Sequence, residues 1–362
     1  MDSNPRRAKQ IEDFRASTGW SQARLIWLGQ DASTRRYARL RHGNQTVLLM
    51  DAPRIEDDPC TPDMTPAERE LSGWNALTRL AASRVDAFVL IAEHLRKVGL
   101  RAPKIFAHDS ANGFALIEDF GDGREFARLI ERGQADETVL YTKAAETLAH
   151  LHAYPHPKVI KSHGEAWPVL PFDDVALRAN ADLYADWLHK YDPRARMTNK
   201  DHQRWEAARD GLIAQAEAFP RTFTLRDYHA ENLLWLPDGK IGLLDFQDAV
   251  MGWDAWDMAM LTQDARRTVS PIATRAAIHA YLAATGRTET AFMERLAVIG
   301  TLNALRITGV FARLVIRDKK PRYRDFMARQ QAMLARNLKH PAAADMAAFI
   351  GETAPFILDA DK

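Results

Sequence analysis

The chain has 362 residues and a formal net charge of +1, from 49 Lys and Arg against 48 Asp and Glu. This balance argues against nucleic-acid binding through bulk charge. A hydrophobic fraction of 46% with 27% charged residues excludes a disordered or fibrous chain. The single cysteine, Cys60, excludes an intramolecular disulfide and a thiolate zinc cluster.

The first ~120 residues have the composition of a small antiparallel sheet with one main helix. Three strands are predicted over 24–53, with Gly43-Asn44 as the tight turn between the second and third. Three prolines then predict a loop over 58–66. Apolar residues at helical spacing predict a helix over 85–98, and two further strand-like segments follow, KIFAHD and GFALIEDFG.

Beyond Gly123 the pattern changes to long amphipathic helices. The first of them, over 137–154, is predicted to bury a face that includes Val139, Ala145 and Leu148. The fold class is therefore predicted as α+β with two lobes. We expect an N-terminal extension over 1–22, a sheet lobe over 23–120 and a larger, mostly helical lobe over 121–362.

The densest set of polar residues lies in the strand, loop and strand from Phe223 to Phe246. Asp227 and Asn232 share one loop, and a hairpin is predicted to return Asp245 to the same place. Two carboxylates and an amide oxygen would then converge. Hard oxygen ligands of this kind suit Mg²⁺, which takes one or two protein carboxylates and fills its other positions with phosphate oxygens and water.

These residues carry a family resemblance. Asp-x-x-x-x-Asn followed by Leu-Leu-Asp-Phe-Gln resembles the catalytic loop and metal-binding Asp of the aminoglycoside phosphotransferase group, kinases with a protein-kinase-like fold. Within that group the chain is similar to bacterial anomeric amino-sugar kinases. These enzymes phosphorylate N-acetylmuramate and N-acetylglucosamine at the C1 hydroxyl in cell-wall recycling. The stretches that carry this narrower match are GQDASTRRYARL, VLLMDAP, LIEDFGD, RDYHAENLLWL, LLDFQDAVMGWDAWDMAMLTQDAR and ALRITGVFARLVIRDKKPRY.

The resemblance implies a role for each residue of the loop system. Asp227 would be the catalytic residue that accepts the proton of the sugar hydroxyl, and Asn232 and Asp245 would hold Mg²⁺ on the phosphates of ATP. These roles agree with the chemistry of phosphoryl transfer, which needs alignment and charge neutralisation. His229 either orients the substrate or packs the loop.

The sheet lobe is expected to bind ATP. The turn from Gly29 to Ser33 would close over the phosphates, and a hinge after the fifth strand would meet adenine through Ile117, Glu118 and Phe120. Strand three carries Leu48 and Met50 where the wider family has a phosphate-binding Lys. Arg35 or Arg36 would then supply the missing charge, unless both are solvated strand residues.

A second departure from the family is Leu225, two positions before Asp227, where related loops carry a His. Its loss threatens the geometry of the loop more than the chemistry.

The helical lobe is expected to define the acceptor. Asp257 and Asp264 are seven positions apart on a predicted helix, so they would share one face, with Arg266 nearby. A later helix carries Arg306 and Arg313, either of which would bind a lactyl carboxylate such as that of N-acetylmuramate. The alternatives are a helix cap with ion pairs for the first group and a solvated stripe for the second.

The leading hypothesis is an ATP- and Mg²⁺-dependent sugar 1-kinase that acts on a small amino sugar. A kinase of the same fold for choline, homoserine or an aminoglycoside is the alternative within the enzyme class, and a nucleotide-binding pseudokinase is the alternative outside it. We expect a cytoplasmic monomer with no nucleic-acid or membrane partner. The first residues lack the apolar core of a secretory signal, and no apolar run reaches about 18 residues.

Overall fold

A five-stranded antiparallel sheet forms the amino-terminal part of the protein, in the strand order β1-β2-β3-β5-β4. The structure is a computed structural model that describes residues 5–29, 35–54 and 60–360. The strands are β1 (Arg24–Trp27), β2 (Arg36–His42), β3 (Gln45–Asp51), β4 (Ile105–Asp109) and β5 (Phe114–Glu118). The predicted strands are confirmed. Gly43, at φ +57°, begins the two-residue turn between β2 and β3, a conformation that glycine adopts without steric cost.

Four helices accompany this sheet: α1 (Pro5–Ser17), α2 (Pro66–Leu71), α3 (Trp74–Leu77) and α4 (Val85–Lys97). The predicted helix is α4, which packs against β4 and β5. Helix α1 belongs to the same core as the sheet. Its Phe14 ring stacks on Phe114 with 5.3 Å between centroids, and its Arg7 donates 2.9 Å from Nε to the buried Asp51 of β3.

Three two-stranded sheets follow. They pair β6 (Val159–Ser162) with β7 (Glu165–Pro168), β8 (Thr222–Thr224) with β11 (Val250–Gly252), and β9 (Leu233–Trp235) with β10 (Ile241–Leu243). The predicted hairpin is β9–β10. The first strand of the predicted group, β8, instead pairs with β11, which the sequence did not reveal because a three-residue strand shows no periodicity.

The remaining helices are α5 (Phe126–Glu131), α6 (Glu137–Ala153), α7 (Asp174–Tyr191), α8 (Asn199–Glu217), α9 (Asp254–Thr262), α10 (Pro271–Thr285), α11 (Glu289–Ile316), α12 (Arg324–Leu338) and α13 (Ala344–Thr353). Short 3₁₀ turns lie at Pro321–Tyr323, Pro341–Ala343 and Pro355–Ile357. Helix α11 is central, with contacts to α7, α8, α9 and α12. By length and composition α11 is apolar enough to cross a membrane, and 67% of that apolar stretch is buried inside the protein.

Helix α6 presents a different face from the predicted one. Ala145 and Leu148 are buried as expected, but Val139 is 53% exposed. The buried face instead includes Tyr141 and Ala144, because α6 packs mainly along α10.

The chain divides into two compact units whose segments are not contiguous. Unit 1 comprises Met1–Arg128, Pro157–Val169 and Asn232–Ala249, and unit 2 comprises Leu129–His156, Leu170–Glu231 and Val250–Lys362. The ranges predicted from the sequence, 1–22, 23–120 and 121–362, were contiguous. The roles assigned to them, nucleotide binding for the second and catalysis with acceptor binding for the third, remain predictions.

Candidate active site

A cavity of about 350 Å³ lies within unit 1, between the sheet and the β9–β10 hairpin. This volume falls in the range of pockets that hold a whole small molecule. Leu48, in place of the family lysine, forms part of its apolar lining. Seven of the nine residues predicted to bind nucleotide or metal line the cavity, namely Gly29, Arg35, Ile117, Glu118, Phe120, Asn232 and Asp245.

Arg35, like Arg39, lines this cavity as a cation. Its Nη2 donates 2.6 Å to Oδ1 of Asp245, although the two residues are 210 positions apart in sequence. Burial opposes the charge on Arg35, but Tyr37, Asp245 and Asp248 outweigh it and raise the pKa of Arg35 above its ordinary value. Arg35 is therefore charged at every physiological pH.

Arg36, which was also predicted to bind nucleotide, does not line the cavity. Arg36 lies one position along β2, and alternation turns its side chain to the other face of the sheet. There it pairs with Asp51 and lies over the Trp27 ring, 4.7 Å from its centroid. Ser33 falls outside the described residues.

Asn232 and Asp245 are brought together by the hairpin. The Leu244 N–H donates 3.0 Å to the carbonyl of Asn232, which fixes the chain just before Asp245 beside Asn232. Gln247, which is 2% exposed, donates 3.0 Å from its amide to Oδ1 of Asp245. Asp245 itself has φ +55°, a conformation that costs a non-glycine residue about 1 to 3 kcal/mol. The backbone thus aims this carboxylate into the cavity at an energetic cost.

This pair fits a magnesium ion. One carboxylate and one amide oxygen line the cavity together, and the Arg35 guanidinium already places a positive charge at Asp245 Oδ1. Among the described residues there is no group of three or more His, Cys, Asp or Glu able to hold a metal alone. The donor set therefore suits a cation that takes its remaining ligands from phosphate and water.

The hinge segment is firmly held. The Glu118 N–H donates 2.8 Å to the Lys104 carbonyl, and the Glu118 carboxylate accepts 3.0 Å from Arg101. Gly242 lies close beside it, and a Cβ there would lie 3.1 Å from the Phe120 ring, so the ring would have to shift by a few tenths of an ångström. The Glu118 backbone is thus held by hydrogen bonds, and the Phe120 ring packs closely against the β9–β10 hairpin.

The loop that carries Asp227 belongs to unit 2 and is organised by Asp257 on α9. Asp257 is fully buried and accepts the N–H groups of Leu225, at 2.7 Å, and Arg226, at 2.8 Å. Burial raises the pKa of Asp257 from 3.8 to about 7, against the lowering effect of these two N–H groups. Asp257 was predicted to touch the substrate, but the structure gives its carboxylate to the backbone of the loop.

These contacts bear on the departure at Leu225. Arg226 has φ +76°, and its carbonyl accepts 3.2 Å from the Trp256 indole N–H. Its guanidinium lies 4.5 Å from the centre of the Phe172 ring. The buried Leu225 packs where related loops have a His, and its backbone N–H is held by Asp257. The geometry of the loop is thus supported without that His.

A second cavity, of about 90 Å³, lies within unit 2 and is lined by Asp227. Asp264, Arg266 and Arg306 line it too. Arg306 donates 2.8 Å to the Asn303 side chain, and burial lowers the pKa of Arg306 to about 10, against the opposing effect of Asp227. Arg306 therefore remains charged at neutral pH, beside the predicted base.

The two predicted acids do not share a helix face, because α9 ends at Thr262 and Asp264 lies in the turn beyond it. His229 is buried, and its Nε2 lies 3.3 Å from Arg266 Nη1. His229 therefore contacts a cavity residue. Arg313, two turns along α11 from Arg306, does not line the cavity.

Residues 26–293 match the Phosphotransferase enzyme family. The chain belongs to this family. It is 46% identical over 351 residues to the N-acetylmuramate/N-acetylglucosamine kinase of Caulobacter vibrioides. The alignment covers 94% of this chain and 95% of that protein. The kinase of the same name from Pseudomonas aeruginosa is 29% identical over 323 residues, with 86% and 84% covered.

Solved structures agree on the fold of this phosphotransferase. A choline/ethanolamine kinase family protein from Mesorhizobium loti superposes with a TM-score of 0.56 at 16% identity, and covers 97% of this chain and 99% of its own. An ADP-bound aminoglycoside phosphotransferase gives 0.53 at 11% identity, covering 92% and 99%. The predicted α+β, protein-kinase-like fold is confirmed.

Several cavity residues of this phosphotransferase were missed from the sequence. In unit 1, the β2 residue Arg39 donates to Asp119, at 2.5 Å, and to Asp122, at 2.8 Å, and all three residues line the larger cavity. In unit 2, Phe311 and Val310 line the smaller cavity. No motif marks these positions. The sequence signal for Arg39 is its spacing, because a residue four positions after Arg35 lies on the same face of a strand.

Proposed function

We propose that the protein is an ATP- and Mg²⁺-dependent kinase that phosphorylates the C1 hydroxyl of N-acetylmuramate, N-acetylglucosamine or both, in cytoplasmic peptidoglycan recycling. The 46% identity over 94% of the chain to a kinase named for these two sugars carries the proposal. The complete set of Asp227, Asn232 and Asp245 supports catalysis over a pseudokinase role, since a protein without turnover does not need it.

In this proposal unit 1 holds the nucleotide. The hinge around Ile117 and Phe120 takes adenine, and Arg35 takes a phosphate in place of the absent lysine. Asn232 and Asp245 hold Mg²⁺, which neutralises the phosphates as charge develops on them. Gln247 keeps the Asp245 carboxylate oriented through its amide.

Unit 2 holds the acceptor. Asp227 accepts the proton of the C1 hydroxyl as its oxygen bonds to the γ-phosphorus, and the bond from that phosphorus to the β,γ-bridging oxygen breaks to release ADP. Asp257 fixes the loop, so that this carboxylate needs no rearrangement. Arg306 and Arg266 supply charge for the lactyl carboxylate of N-acetylmuramate. The smaller cavity balances two arginines against two carboxylates, so it offers no net negative charge to a cationic acceptor such as choline.

The test offers purified protein Mg²⁺ and ATP with each acceptor in turn: N-acetylmuramate, N-acetylglucosamine, choline, homoserine and kanamycin. ADP formation is measured by a coupled assay, and the position of the new phosphate by ³¹P and ¹H NMR. A C1 phosphate on either sugar supports the proposal. Turnover of choline, homoserine or kanamycin alone contradicts it, and ATP binding without any turnover favours a pseudokinase.

A further inference from the structure

Asp264 carries a carboxylate oxygen that has no hydrogen-bond donor among the described residues. The residue is 3% exposed. Its Oδ1 accepts the Arg266 N–H at 2.8 Å, which fixes the carboxylate in the turn after α9. Its Oδ2 is buried and receives no hydrogen bond from the part of the chain that the structure describes. The turn therefore holds one unpartnered hydrogen-bond acceptor, Oδ2 of Asp264.

Such an oxygen is costly to keep. Leaving a buried acceptor without a donor costs about 1 to 3 kcal/mol, and more for a charged group. Native proteins satisfy most buried polar atoms, so an exception at a cavity wall points to a partner that arrives with a ligand. A water molecule can occupy the place until then.

The cavity around Asp264 is small and two-sided. Its volume of about 90 Å³ is well below the roughly 300 Å³ of pockets that enclose a whole ligand, so it admits a side group rather than a sugar ring. Its charged lining residues are Asp227, Asp264, Arg266 and Arg306. Its apolar lining, called the apolar wall below, includes Met260, Ile307, Val310 and Phe311.

We propose that Asp264 is the residue that selects an N-acylated sugar, with its Oδ2 accepting the acetamido N–H of the acceptor. An acetamido group places an N–H donor two bonds from a methyl group. The N–H matches the unpartnered Oδ2 of Asp264, and the methyl group matches the apolar wall, which includes Val310 and Phe311. This inference rests on the proposed function and names the feature of the sugar that the site reads.

Two other donors are the competing occupants. Glucose offers a hydroxyl at the same carbon, and glucosamine offers an ammonium, which a carboxylate attracts. The apolar wall favours neither group, and the two arginines of the lining offset the attraction of its two carboxylates for an ammonium. The wild-type protein should therefore phosphorylate N-acetylglucosamine with a kcat/KM at least about 100-fold above that of glucose or glucosamine.

The acyl chain tests the cavity without any substitution. N-propionylglucosamine should retain kcat/KM within about tenfold, because one added methylene is a small change for an apolar pocket. N-benzoylglucosamine should lose at least about 100-fold, because its ring exceeds a cavity of about 90 Å³.

Asp264→Asn tests the carboxylate. We expect the KM for N-acetylglucosamine to rise about 10- to 100-fold with kcat less affected, and the glucose value to change by less than about threefold. Calorimetric titration of N-acetylglucosamine without nucleotide should show the same loss of affinity. Asp345→Asn, at an exposed position on α13, is the matched control and should leave both sugars unchanged.

The outcomes separate the two proposals. If N-acetylglucosamine is phosphorylated but Asp264→Asn lowers the values for it and for glucose equally, the inference is wrong and the proposed function stands. A wild-type preference for glucosamine, or equal use of the N-benzoyl sugar, also overturns the inference. If no sugar is phosphorylated, the proposed function fails and the inference fails with it.

Discussion

Arg35 donates to Asp245 over 2.6 Å, so the strand that follows the predicted phosphate-covering turn is bound to the predicted magnesium ligand. The Arg35 guanidinium thus already contacts the Asp245 carboxylate, which is the group expected to bind Mg²⁺. In the proposed function, Asp245 would bind Mg²⁺, and the Arg35 guanidinium would then be available to a phosphate oxygen. Arg35 would thereby supply the charge that the missing strand-three lysine does not.

Replacing Arg35 should weaken nucleotide binding. Arg35→Ala removes a buried, charge-assisted contact, and we expect the Kd of ATP in excess Mg²⁺ to rise about 10- to 100-fold. Arg35→Lys should recover part of this loss, because lysine keeps the charge without the planar fork. Isothermal titration calorimetry measures both. Arg24→Ala, at an exposed position on β1, is the control, and equal affinities for all four proteins would refute the role of Arg35.

Asp245→Ala should separate the metal from the nucleotide. With Mg²⁺ present, we expect the Kd of ATP to rise at least about tenfold, because a hard oxygen ligand is lost. Without Mg²⁺, affinity should hold or increase, because Arg35 no longer pairs with Asp245 and can meet a phosphate. Titrations with and without EDTA measure the difference. An unchanged dependence on Mg²⁺ would remove Asp245 from the metal site.

Asp227→Asn should abolish transfer while leaving nucleotide binding intact. The carboxylate acts on the hydroxyl of the acceptor, so we expect kcat to fall about 10²- to 10⁴-fold. The Kd of ATP should change by less than about threefold, because the carboxylate acts on the hydroxyl and not on the nucleotide. Steady-state assays beside calorimetry decide it, and retained turnover would exclude Asp227 as the base.

Asp257 should make stability depend on pH. Its pKa is raised by burial from 3.8 to about 7, so the folded chain binds this proton more tightly than the unfolded chain. The resulting stabilisation is fully present below about pH 4 and is lost as pH rises through 7. Asp257→Asn cannot titrate. The difference in free energy of unfolding between wild type and variant should therefore shift by roughly 2 to 3 kcal/mol between pH 5 and 8, in favour of the variant at high pH.

Urea unfolding of both proteins at several pH values measures this difference. Parallel curves would show that Asp257 does not titrate in this range. Asp345→Asn again serves as the control, since it makes the same change at an exposed position on α13.

The sequence was informative where periodicity or a turn dipeptide was strong. The strands β2 and β3, joined at Gly43-Asn44, and helix α4 were all predicted, and the Asn232 and Asp245 pair followed from the β9–β10 turn. Short strands such as β11 gave no signal, because three residues cannot show a period.

The direction of individual side chains could not be predicted from the local sequence pattern. Arg35 and Arg36 were equivalent in sequence, yet only Arg35 enters the cavity, since the choice depends on which face of β2 the hairpin covers. Likewise Asp257 was recognised as important, but its bonds to Leu225 and Arg226 depend on the pairing of β8 with β11.

The order of segments in the chain has a consequence for biogenesis. The last segment of unit 1 along the chain is Asn232–Ala249. This segment supplies Asn232 and Asp245 to the larger cavity. A ribosome that has released the first 128 residues has therefore exposed the sheet but only part of the cavity wall. In the proposed function, a complete cavity for ATP would therefore exist only after synthesis has passed Ala249, and stabilisation of unit 1 by the nucleotide would begin only then.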